Sequence, residues 1–213
     1  MAVDQEKSGT GSGTRTRILD ATEEIMLEEG YAGVSSRKVA TRAGLKSKLL
    51  HYYFATMDDL FIAAFQRRED LHVTRFAGAA ASAKPLHALW DLAVDAASSR
   101  LYLEFNALAC HRPAVREFIA RSNSRDRITT TSALQSVFAQ YGIDPERFPP
   151  KVVATAMAGM ARVFATDRAL GTSEGHEESL AFVRSLLASL EAAGSPRPGK
   201  YPTDSGEHNA VDQ

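Results

Sequence analysis

Along most of this chain, apolar residues recur every three to four positions, and sustained alternation of apolar and polar residues is absent. That period belongs to helices rather than strands, so the pattern predicts an all-α fold. From Thr14 a helix places Ile18, Ala21, Ile25 and Met26 on one face and ends at Gly30. Ser35 can cap a short helix that turns Val39, Ala40 and Ala43 inward and closes at Gly44. A third short segment, 47–54, sets Leu50 and Phe54 four residues apart. Asp58 and Asp59 suit the positive start of a long helix running from about Met57 past Phe65 toward Ala83. Further helical stretches follow at 85–99, 101–111, 114–141, 149–170 and 175–193, separated by Pro and Gly.

The same punctuation sets the expected organisation. None of the eight prolines precedes Pro85, so the first part of the chain can be helical without a proline break. Residues 1–13 are polar and Gly/Ser-rich, and residues 194–213 are rich in Gly, Pro and charge. Both are expected to be disordered tails. Between them, 14–60 and 61–193 are expected to form two helical parts, a head and a body.

Composition narrows the class. In 213 residues, 25 Lys+Arg balance 26 Asp+Glu, and 44% of the chain is apolar, as in an ordinary globular protein. No apolar run approaches the roughly 20 residues needed to span a bilayer, and no export signal is visible, so a cytoplasmic protein with no membrane partner is expected. The lone Cys110 excludes an internal disulfide framework. Phosphate loops, HExxH and cysteine clusters are missing, so no cofactor and no metal site are expected. Cys110 and His111 are adjacent and would point about 100° apart on a helix, which does not make a nucleophile–base pair. A buried structural thiol is the expected role of Cys110, and no catalytic residue is assigned.

Charge is uneven locally. From Gly30 to Met57 the chain carries Arg37, Lys38, Arg42, Lys46 and Lys48 and no acid. Two short helices joined at Ala43-Gly44-Leu45, with a basic excess, make a helix-turn-helix suited to DNA, whose duplex carries one charge per about 1.7 Å. His51, Tyr52 and Tyr53 interleave with the cations and can reach phosphates or sugars. A helical adaptor or an enzyme without DNA binding is the competing class, and the adaptor would leave the basic excess unexplained.

The stretch Gly30–Phe65 resembles the TetR (tetracycline-repressor-like) family of bacterial transcriptional regulators. The resemblance rests on Gly30-Tyr31, on Arg37…Val39-Ala40…Ala43-Gly44, and on Leu50…Tyr52-Tyr53-Phe54 before an acidic helix start. It implies a repressor that binds a palindromic double-stranded DNA operator as a homodimer and is released by a small-molecule effector. It also implies that Arg37 reaches a base edge, that Ser35 and Ser36 meet phosphate, and that Lys46, Ser47, Lys48 and Leu49 open the recognition helix. His51 and Tyr52 complete the expected DNA-facing set, with Lys48 and Tyr52 opposite Leu50 and Phe54. The chain departs from the family at His51 (usually Tyr), at Lys48 (usually small or Pro) and at Met57, where a phosphate-holding Lys is common.

For the body, the expected effector pocket draws on Trp90, Leu101, Tyr102, Phe105, Asn106, Cys110, Phe138, Met157 and Phe164. Few of these are polar, which would suit an apolar effector, although aromatics at helical spacing also read as plain core. Two stripes are candidates for a dimer interface: Val152, Ala156, Gly159, Met160 and Val163, then Leu180, Val183, Leu187 and Leu190. A single subunit could instead bury either stripe in its own core.

Overall fold

A computed structural model describes the backbone of residues 3–193, and the side chains of 13–95 and 100–193. The tail expected at 194–213 lies outside the described residues. Among those described, the elements are α1 (Val3–Glu29), a 3-10 turn (Tyr31–Gly33), α2 (Ser36–Arg42), α3 (Ser47–Tyr53), α4 (Met57–Ala80), α5 (Pro85–Ala93), α6 (Ala96–His111), α7 (Pro113–Tyr141), α8 (Pro150–Leu170) and α9 (His176–Ala193). The all-α expectation holds.

Two boundaries differ from the sequence reading. α1 begins at Val3, so residues 3–13 continue the helix rather than forming an irregular tail. Once the packed part of a helix exists, each further residue adds a hydrogen bond without a new nucleation cost. The break between α5 and α6 falls at Val94–Asp95 rather than near residue 100. Tertiary contacts hold it there: Arg168 donates to the Val94 carbonyl, and Arg75 pairs with Asp95.

Local chemistry explains the other ends. Thr56 caps α4 by accepting from the Asp59 N–H at 3.1 Å, while the Asp59 carboxylate accepts from the Thr56 N–H at 2.9 Å. This reciprocal pair satisfies two donors that a helix start leaves orphaned. Proline opens α5, α7 and α8 at its first position, where the missing N–H costs nothing. Gly142, with φ +64°, ends α7. α5 has no acid in its own first turn. Glu191 of α9 supplies one, accepting from the Leu86 N–H at 2.8 Å and meeting His87 Nδ1 at 2.6 Å.

The main core runs through the whole upper half of the molecule. Ile18, Ile25 and Met26 of α1, Val39 of α2 and Leu50 of α3 meet Leu60, Phe61 and Phe65 of α4. The same cluster continues into Leu101, Phe105 and Leu108 of α6 and Val115 and Ile119 of α7. Polar bonds reinforce the seam: Arg67 of α4 binds Asp20 and Glu23 of α1 at 2.6 and 2.5 Å, and Glu104 of α6 accepts from the Tyr31 N–H at 2.8 Å. Burial works against the Arg67 charge, yet its hydrogen bonds to Glu23 and Asp20 more than offset this and leave its pKa raised. Two smaller clusters fill the lower half, one around Leu86, Leu134 and Phe138 and one around Trp90, Val94 and Phe164.

Thr56→Ala removes the cap but no core contact. The expected outcome is a loss of about 1 kcal/mol in urea unfolding, with Thr56→Ser close to the parent. Equal stability of Thr56→Ala and the parent would mean that α4 is held by packing alone.

Candidate functional site

The helix-turn-helix is built by α2, a tight turn and α3. Ser35 caps α2 through the Lys38 N–H at 3.4 Å. At the other end the Leu45 N–H reaches the Ala40 carbonyl at 2.8 Å and the Gly44 N–H reaches Thr41 at 3.0 Å. This arrangement requires the left-handed φ of +66° at Gly44. Arg17 of α1 donates to the Ala43 carbonyl and lies 3.1 Å from where a Gly44 Cβ would sit. The turn is therefore closed to side chains on conformational and steric grounds.

Burial then sorts α3. Leu50 and Phe54 are buried, and the opposite side exposes Lys46, Ser47, Lys48, Leu49, His51 and Tyr52, the last 81% accessible. On α2, Ser35 and Arg37 are exposed and Ser36 is half-buried. Met57 is half-buried against the core, consistent with its lacking the charge of a phosphate anchor.

Electrostatics divides the basic cluster in a way its sequence does not reveal. Lys38 pairs with Glu29, and Arg42 binds Glu28 at 2.7 Å and Glu24 at 3.3 Å, all on α1. The Arg42 hydrogen bond holds the Glu28 carboxyl below its usual value, and Arg42 is raised in return. Arg37, Lys46 and Lys48 have no acidic partner among the described residues. Sequence reading missed Arg15 and Arg17, which α1 brings beside this face. Arg15 lies over the Phe54 ring at 5.4 Å, and Arg17 holds the turn. Their only signal was two arginines just ahead of the apolar stripe of α1.

A cavity of about 570 Å³ lies between α4, α5, α6, α7 and α8. Of the expected lining, Leu101, Tyr102, Phe105 and Met157 border it. Trp90, Phe138 and Phe164 do not, being buried core. Asn106 turns its amide to the Tyr102 carbonyl at 2.7 Å, and Cys110 is exposed rather than buried. The wall is also more charged than expected, with five arginines, His72, Glu69, Asp95 and Asp126 bordering it. The sequence hid this because most of those residues sit on the polar stripes of α4 and α7, which read as solvent faces.

The α9 stripe also packs on its own chain. Leu180, Val183, Leu187 and Leu190 are half-buried against clusters of their own chain, because Glu191 and Arg184 dock α9 on α5. On α8, Met160 joins the Trp90 cluster, whereas Val152, Ala156 and Val163 are exposed and a Cβ on Gly159 would meet nothing. Phe182 on α9 is 69% exposed. Among the described residues no group of acids, His or Cys is arranged to hold a metal, and no helix is long and apolar enough to cross a membrane.

Because Glu28 is depressed in the fold, its contribution to stability is present above its usual 4.5 and is lost as pH falls through the lower folded value. The expected result is that Arg42→Gln is less stable than the parent at neutral pH, with the gap closing below pH 4.5. Acid-unfolding curves of the two proteins check this. A gap that persists undiminished into acid would remove Glu28 as the partner that matters.

Comparison with known proteins agrees with this geometry. Residues 18–64 match the family described as bacterial regulatory proteins, tetR family. The HTH-type transcriptional regulator PksA of Bacillus subtilis (strain 168) is 38% identical over 64 residues, 30% of this chain and 28% of PksA. Similar folds extend further: the proposed transcriptional regulator SCO7518 of Streptomyces coelicolor A3(2) is 27% identical with a TM-score of 0.61, over 84% of this chain and 98% of its own. A proposed transcriptional regulator from Saccharomonospora viridis, solved in complex with choline, is 18% identical with a TM-score of 0.65, over 84% and 95%. Residues 18–64, which contain the helix-turn-helix, are thus similar to the tetR family of bacterial regulatory proteins, and the chain spans about a quarter of the length of PksA.

Proposed function

We propose that the protein is a repressor that binds a palindromic operator as a homodimer, in the cytoplasm, and lets go when a small molecule with a largely apolar body enters the α4–α8 cavity. The observation that carries this reading is the exposed, acid-free face formed by Arg37 of α2 and Lys46, Ser47, Lys48, Leu49, His51 and Tyr52 of α3. In this reading Arg37 reads a base edge with its two-pronged guanidinium, and Ser35 and Ser36 bind phosphate. Lys46 and Lys48 act on the phosphate backbone, whereas Lys38 and Arg42 serve the fold through α1. Arg15 and Arg17 extend the positive field at the edge of the same face.

The domain division follows function rather than packing. Residues 14–60 form the head and 61–193 the effector and dimer body, although one core crosses the boundary. The cavity supports a small-molecule site by its size and mixed lining. The fold relative from Saccharomonospora viridis has a small molecule bound, choline. For the dimer, the exposed Val152, Ala156 and Val163 on α8 and Phe182 on α9 supply the unburied apolar surface that a two-fold contact needs. The α9 stripe Leu180, Val183, Leu187 and Leu190 is half-buried on its own chain and leaves less surface for that contact.

Gel-shift titrations on the operator at several salt concentrations test the DNA face. Arg37→Ala is expected to cost about 1–3 kcal/mol on the specific site and to relax base preference there. Lys48→Ala should weaken every duplex alike and reduce the salt slope by about one. Arg42→Gln should leave that slope unchanged, and a slope reduced as much as by Lys48→Ala would place Arg42 on DNA after all. For the dimer, Val163→Glu with Phe182→Glu is expected to give a folded monomer in sedimentation, with weak binding to a full operator. A dimer that persists would move the interface elsewhere.

A further inference from the structure

The cavity wall carries more positive than negative charge, and the excess is concentrated on α7 and α8. Each of the three acids that border the cavity is already engaged. Asp95 is bound by Arg75 at 2.7 Å, Asp126 meets His72 at 3.4 Å, and Glu69 takes the Ser122 hydroxyl and Arg125 at 3.4 Å. The second Glu69 oxygen has no hydrogen-bond partner, but it is sealed from solvent and cavity alike. It therefore offers a cationic ligand no accessible contact.

Of the other three arginines, Arg68 is also engaged, and two stand apart. Arg127 of α7 reaches only a neutral group, the Thr155 hydroxyl, at 3.5 Å, and Arg162 of α8 makes no side-chain bond or ion pair with any described residue. The cavity also has an apolar lining, termed its floor, which includes Phe65, Leu89, Leu101, Phe105 and Met157. A guanidinium binds a carboxylate through two parallel N–H bonds, and a cleft with one sign in excess concentrates the opposite ion.

We infer that this cavity takes an amphipathic monoanion, a carboxylate on an apolar body, with Arg127 and Arg162 receiving the carboxylate and the floor receiving the body. The inference rests on the effector reading above and narrows it from an apolar molecule to an acid. Neutral molecules of the same shape would gain the floor but leave the two charges unused. Cations would meet them as repulsion.

The test uses the full-length protein and three probe series of matched chain length: hexanoate to dodecanoate, the corresponding alcohols, and the corresponding alkyltrimethylammonium ions. Binding is measured by calorimetry at low and moderate salt, alongside release from the operator in a gel shift. The expected result is that the best carboxylate binds at least about tenfold more tightly than its alcohol and that the difference shrinks with salt. Arg127→Gln with Arg162→Gln should bring the carboxylate down to the alcohol's affinity and leave alcohol binding unchanged, a control that a merely misfolded variant fails. Alcohols or ammonium ions binding as well as the carboxylates would overturn the anion assignment and leave the cavity as the effector site. Binding by none of the series, with operator binding intact, would overturn the effector reading itself. Equal carboxylate affinity in the double variant and the parent would remove the two arginines from the site.

Discussion

The burial of one side of α4 between two partners is the constraint on which the molecule depends. Leu60, Phe61 and Ala64 are almost fully enclosed, and Phe65 stacks edge-on against Phe105 at 5.2 Å and Phe118 at 6.2 Å. Enclosing each large apolar side chain is worth about 1.5–3 kcal/mol, so these few positions outweigh any single polar contact at the seam. The same helix is packed by α1 through its first half and borders the cavity through its second. A helix-turn-helix head tied to its body by flexible chain alone would have no fixed relation to the cavity. Here a shared core supplies that relation, and Arg67, Glu104 and the Arg112–Asp58 pair set its angle.

A second principle, the pairing of charge, decides what each basic residue does. α1 turns Glu24, Glu28 and Glu29 toward α2, and these absorb Arg42 and Lys38. Exposed ion pairs of this kind contribute little to stability individually. Their larger effect is to take two cations out of the field presented outward and to brace α2 for the residues that remain. Arg37, Lys46 and Lys48 are left on the open side, next to Tyr52 and His51. The cavity repeats the logic, since its acids are each matched to a base while Arg127 and Arg162 have no acidic partner among the described residues.

The lower half is held more by polar docking than the upper. α9 is seated by Glu191, which accepts the first N–H groups of α5, and by a half-buried apolar stripe. His176 meets Asp167 at 2.9 Å and lies against the Phe164 ring, closing α9 onto the end of α8. The large apolar side chains left exposed on the two helices are Val152, Val163, Leu170 and Phe182.

By itself the sequence determined what depends on neighbours a few residues apart. Ser35, Gly44, Leu50 and the Thr56–Asp59 start carry their roles in local spacing, because caps, left-handed turns and helical faces are set within one or two turns of chain. The helical fold and the helix-turn-helix were legible for that reason. Tertiary structure alone decided which of equivalent groups meet a partner. Lys38 and Lys48 look alike in sequence, yet only Lys38 has Glu29 of α1 within reach. The stripe of α9 gains its contacts within the chain because Glu191, far from α5 in the chain, seats α9 on that helix. The arginines of α4 and α7 read as solvent-facing until those helices enclose a cavity with α8. Each of these outcomes depends on contacts between residues distant in sequence, where helical periodicity carries no information about which face will find which neighbour.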